Sequence, residues 1–91
     1  MAAIVQIPAT LSQYCGGRTE LPVAAADVRG ALAELERNHP SLYRNLCDEA
    51  GAVRRHLNVF VNATHMRDLR GLDTPLVHRD VMTILAAVSG G

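Results

Sequence analysis

The apolar positions fall into short alternating runs and one helical stripe. Ile4-Val5-Gln6-Ile7 is β-branched, is bounded by Pro8 and reads as a first strand. Residues 8–17 form a wide connection closed by Gly16-Gly17, a pair that tolerates positive φ. Arg18 to Val23 alternates weakly and predicts a second strand, paired with the first as a hairpin. Asp27 then offers a short oxygen acceptor to the free N–H groups of a helix start. Val28, Leu32 and Leu35 follow at i, i+4 and i+7 with Ala31 on the same face, while Glu34, Glu36 and Arg37 take the other side. Pro40 ends that helix by disfavouring α geometry in His39.

Gly30 inside the helix costs about 1 kcal/mol relative to Ala, so it is expected where helix and sheet backbones approach closely. Ser41 to Ala50 predicts a second, shorter helix anchored by Leu42 and Leu46. The strongest strand signal is Leu57-Asn58-Val59-Phe60-Val61-Asn62, whose period of two puts Leu57, Val59 and Val61 on one face and Asn58, Phe60 and Asn62 on the other. A polar, turn-rich stretch from Ala63 to Pro75 leads to His78-Arg79-Asp80 and a last strand, Val81 to Val88, which runs into Ser89-Gly90-Gly91. The order ββα(α)ββ implies an α+β domain, a mixed sheet of four to five strands with one main helix across one face.

Composition narrows the function. Ninety-one residues make one domain. Nine basic and nine acidic residues cancel, so nothing in the charge favours nucleic acid. No apolar run approaches the roughly 18 residues of a membrane span, and the N-terminus lacks a basic n-region, so no membrane partner and a cytoplasmic location are expected. All nine basic residues are arginine, so no side chain here can accept an isopeptide bond. Cys15 and Cys47 fit neither a CxxC nor a zinc pattern and are expected as free thiols, Cys47 semi-buried and Cys15 in a more exposed turn. His39, His56, His65 and His78 are too scattered for a metal signature, and no catalytic residue is assigned.

The terminal Gly-Gly is the informative feature. Two residues without Cβ can lie in a channel too narrow for other side chains and bring a terminal carboxylate to another protein's active site. The stretch from Asp80 through Val88 to Ser89-Gly90-Gly91, an acidic residue followed by an apolar strand, small residues and Gly-Gly, resembles the MoaD/ThiS family of ubiquitin-like sulfur carriers. Asn58 to Asn62 resembles that family's central strand and turn, and Gly71 to Leu76 its approach to the last strand. Ile7-Pro8-x-x-Leu11 with Gly16-Gly17 is similar, more narrowly, to an actinobacterial branch that supplies sulfur for cysteine synthesis. His78-Arg79-Asp80 departs from the Asp-Gly-Asp of many relatives, which puts the type of that turn in question.

The resemblance implies a β-grasp fold over residues 1–91 with a flexible tail from about residue 87. It also implies adenylation of Gly91 by an E1-like enzyme using ATP and Mg²⁺, and conversion to a thiocarboxylate. Gly90, Ser89 and Val88 would thread the partner's channel. The carrier would hold no permanent cofactor and would not itself be an enzyme. The acceptor would be a PLP-dependent cysteine synthase with a JAMM-type zinc peptidase, or the molybdopterin synthase large subunit; thiamine or a sulfur-containing natural product are further destinations. Two other functions stay open: a protein modifier joined through Gly91 to lysines, and a non-reactive adaptor. From the alternation, Phe60, Thr83 and Leu85 share the outer sheet face with Val81, suggesting a docking surface, and Arg54 is a candidate to steer a partner.

Overall fold

The computed structural model describes residues 2–86. The first strand, β1 (Ala3–Gln6), is followed by a single helical turn, α1 (Ala9–Ser12), and a 3-10 turn (Gln13–Cys15). Next come β2 (Glu20–Val23), the main helix α2 (Val28–Asn38) and α3 (Pro40–Leu46). Strands β3 (Leu57–Val61) and β4 (Thr64–His65), 3-10 turns at Met66–Asp68 and Gly71–Asp73, and β5 (Val81–Ala86) complete the described chain. The sheet runs β2-β1-β5-β3-β4. Its β1–β5 pair is parallel, and β1–β2, β3–β5 and β3–β4 are antiparallel. First and last strands therefore lie side by side at the centre, the β-grasp arrangement, so the final strand is clamped on both sides along its first half.

Period-two alternation decides what enters the core. Val5, Leu57, Val59, Val61, Met82 and Ile84 face α2 and α3 and are buried with Val28, Leu32, Leu35, Leu42 and Leu46. Asp27 caps α2: its Oδ1 accepts from the Gly30 N–H at 2.7 Å. Gly30 is small for a different reason from the one its position suggests. A Cβ there would meet Asp27 Oδ1 at 3.0 Å and the Ala25 Cβ at 3.1 Å, so it makes room for the cap and the incoming chain, not for the sheet. Pro40 both stops α2 and opens α3 at its first position, where its missing N–H costs nothing. The second helix is shorter than its pattern predicts, because Cys47 is extended (φ −129°, ψ 152°) and bridges to Val53.

Two stretches read as loops contain structure the alternation hides. Residues 8–17 hold α1 and a 3-10 turn that buries Cys15, contrary to the expected exposure. The Cys15 Sγ lies 3.2 Å from the Arg18 carbonyl oxygen, to which it donates. Residues 63–75 hold β4 and two 3-10 turns, with Thr74 buried because its Oγ1 donates to the Gly71 carbonyl at 2.7 Å and accepts from the Arg70 N–H at 3.0 Å. Both segments lack period-two or helical signals because they are held by such local bonds and not by an apolar face.

Candidate functional site

The entry to β5 is held by a network of hydrogen bonds around Asp80. The Asp80 carboxylate accepts from the Val77 N–H at 2.9 Å and from Asn62 Nδ2 at 3.2 Å. Asn62 Oδ1 in turn accepts from the Val81 N–H at 3.1 Å, and the Asn62 N–H donates to the Val81 carbonyl at 2.7 Å. The Ile4 N–H donates to the Asp80 carbonyl at 2.9 Å, joining this knot to β1. The acidic residue ahead of the last strand is thus the tie between three segments. Arg79 adopts φ +76°, the left-handed region, within a turn closed by Asp80 N–H to Val77 O at 3.0 Å. The departure from glycine leaves a glycine-like backbone in place and makes an arginine carry it.

The outer sheet face is built row by row from the register. Gln6, Thr83, Phe60 and His65 stand side by side on β1, β5, β3 and β4. Phe60 meets the His65 ring edge-on, centroids 5.2 Å apart at 67°. Thr83 Oγ1 donates to Gln6 Oε1 at 3.2 Å. The His65 ring is fixed from both sides: Nδ1 accepts from the Arg67 N–H at 3.1 Å, and Nε2 lies 3.1 Å from Asn58 Oδ1. Since Nδ1 accepts, Nε2 carries the proton and donates to Asn58. Leu85 opposes Asn58 and is 46% exposed, large for an apolar side chain one residue from the end of the described strand.

Of the residues singled out in the sequence, Phe60, Thr83 and Leu85 do lie together on this face. Arg54 does not join them. Its Nε and Nη2 both donate to the Arg44 carbonyl, at 3.0 and 2.9 Å, and its N–H donates to the Leu46 carbonyl at 2.9 Å, bracing the end of α3. Its guanidinium thus braces a helix end while the residue stays exposed. Val88, Ser89, Gly90 and Gly91 lie outside the described residues. The alternation already placed Asn58 on the Phe60 face, whereas Gln6 and His65 were not legible there, because only strand pairing brings them beside Phe60. Burial pushes the Cys47 thiol up to about 11, so it is held protonated near neutral pH.

The ThiS family model matches residues 5–91. The chain belongs to the ThiS family. The sulfur carrier protein CysO of Mycobacterium tuberculosis is 31% identical over 93 aligned positions, covering all of both chains. Among solved structures, a chain of the BexX/CysO complex of Amycolatopsis orientalis matches with a TM-score of 0.88 at 32% identity, over 99% of this chain and 100% of that one. The small archaeal modifier protein 1 of Methanosarcina acetivorans matches with a TM-score of 0.82 at 30% identity, over 99% of this chain and 96% of that one. The ThiS-family match runs through Gly91, so this chain's Gly-Gly end falls inside the region the family shares.

Proposed function

We propose that this chain carries sulfur as a thiocarboxylate on Gly91 and delivers it for biosynthesis, with cysteine as the favoured product. The observation that carries the reading is full-length similarity to a sulfur carrier together with a central strand, β5, whose described end at Ala86 stands five residues before Gly91 in the sequence. A carboxylate is a poor electrophile, so an E1-like enzyme using ATP and Mg²⁺ first forms the acyl adenylate and releases pyrophosphate. Hydrosulfide then attacks the acyl carbon, and the C–O bond to AMP breaks. The product thiocarboxylate is ionised at neutral pH and is a soft nucleophile. This chain supplies the carboxyl group and the surface by which it is held; acid–base chemistry belongs to the partners. Those partners are the activating enzyme and a PLP-dependent acceptor synthase, with a JAMM-type peptidase releasing the product.

A second reading is favoured by one specific likeness, that to a small archaeal modifier protein. In it, Gly91 is joined to lysines of other proteins. The test is an incubation with an E1-like enzyme, ATP, sulfide and a lysine-bearing acceptor protein. The carrier reading predicts thiocarboxylated chain with no acceptor ladder. A ladder that forms without thiocarboxylate would replace it with the modifier reading.

A further inference from the structure

Sheet edges carry unpaired N–H and C=O groups, and this fold blunts its two outer ones. On β2, the Ile7 N–H donates to the Thr19 carbonyl at 2.8 Å, which fixes the alternation of inward and outward backbone groups. By that alternation Pro22, paired with Ile4, turns its nitrogen outward, and a proline nitrogen has no hydrogen to offer. The opposite edge, β4, is two residues long. Edge pairing is discouraged at both.

Beside the tail the arrangement is the reverse. The parallel β1–β5 pairing runs from Ile4–Val81 to Gln6–Thr83 and stops, whereas β3 stays paired with β5 through Leu57–Ala86. The cause is Pro8. The ladder begins with the Ile4 N–H on the Asp80 carbonyl, so each second residue of β1 donates to each second carbonyl of β5. The step after Gln6 would be Pro8 onto Ile84, and Pro8 has no N–H. The chain turns away there into α1, leaving a groove of about 220 Å³ lined by Pro8, Glu20, Thr83 and Leu85 among others. On the β3 side, the Asn62 N–H bond to the Val81 carbonyl marks residues 81, 83 and 85 as those facing β3. The Ile84 carbonyl and the Ala86 N–H and carbonyl therefore point into the open side.

We infer that the enzyme which activates Gly91 adds an extended segment of its own backbone to this open edge of β5, at Ile84–Ala86. Five residues follow Ala86, and at full extension they reach no more than about 18 Å. An enzyme with Gly91 in its active site must therefore bring its surface to within that distance of Ala86, at the stretch of β5 that, among the described residues, has no strand paired on one side. Main-chain pairing would clamp the strand just before the tail and set the direction in which the tail enters. This inference rests on the carrier reading, since it names the partner of the same terminus.

The test uses the full chain and an E1-like adenylating enzyme, with amide hydrogen exchange, binding and pyrophosphate exchange measured on the same preparations. In the free protein the Ala86 amide should exchange rapidly, and in the complex it should be protected. A semisynthetic chain with the Ala86 N–H replaced by an ester oxygen should bind about threefold to tenfold more weakly, the loss expected for one backbone hydrogen bond, with an unchanged melt. Rapid Ala86 exchange in the complex, or undiminished binding of the ester, overturns strand addition. Protection that instead rises with the concentration of the free protein assigns the edge to a second copy and also overturns it. Absence of pyrophosphate exchange with the unmodified chain overturns the carrier reading itself, so the two failures are distinguishable.

Discussion

Arg79 shows how a single residue can depart from a family pattern without altering the fold. Its φ of +76° is a region that L residues enter at a cost of about 1–2 kcal/mol, partly matched by the extra unfolded-state freedom a glycine would bring. Arg79→Gly is therefore expected to leave stability unchanged or raise it by up to about 1 kcal/mol, while the β-branched Arg79→Val should lower it by about 1–2 kcal/mol. Denaturant titration of the three proteins checks this; a destabilised glycine variant would mean the arginine side chain itself holds the turn. Cys47 makes a second prediction. Its thiol rises from about 9 to about 11 on burial, so the folded state holds the proton that the unfolded chain gives up first. Its contribution is whole below pH 9 and is lost as pH climbs to about 11, on the order of 3 kcal/mol. Replacing Cys47 with alanine should flatten the fall in stability over that range, and an equally steep fall would contradict the assignment.

At the scale of elements, the outer face of β3 and β5 is the docking surface we propose. Phe60 touches the His65 edge and is only partly covered, so Phe60→Asp should keep a near-normal melt yet weaken binding to the activating enzyme by about 1 kcal/mol or more. Unchanged binding with an intact melt removes Phe60 from that surface. Part of this was legible in the sequence for a physical reason: a strand's period of two sets Leu57, Val59 and Val61 against Phe60, and taking Met82 and Ile84 as inward puts Val81, Thr83 and Leu85 outward, as the burial of both strands bears out. The Asp27 cap and the α2 stripe were legible on the same ground. What could not be read is what depends on register or local bonding. The row Gln6–Thr83–Phe60–His65 exists only through the sheet order, Arg54 bonds the end of the preceding helix through a local contact that no periodicity reveals, and Pro8 acts on Ile84 through a strand pairing that spans most of the chain.

The whole molecule is a small scaffold that holds its last strand between β1 and β3 and leaves chemistry to the segment beyond it. Its nine cationic side chains are all arginines, so an activated Gly91 finds no lysine acceptor among the side chains of another copy. The central claim is that sulfur resides on Gly91, and tandem mass spectrometry of the chain after reaction with an E1-like enzyme, ATP and sulfide tests it most directly. Exchange of one oxygen for sulfur adds about 16 Da. The account predicts that increment on the C-terminal fragment containing Gly91, absent when ATP is withheld and absent from a chain lacking Gly91. An increment located on Cys15 or Cys47, or one that persists without Gly91, would contradict it.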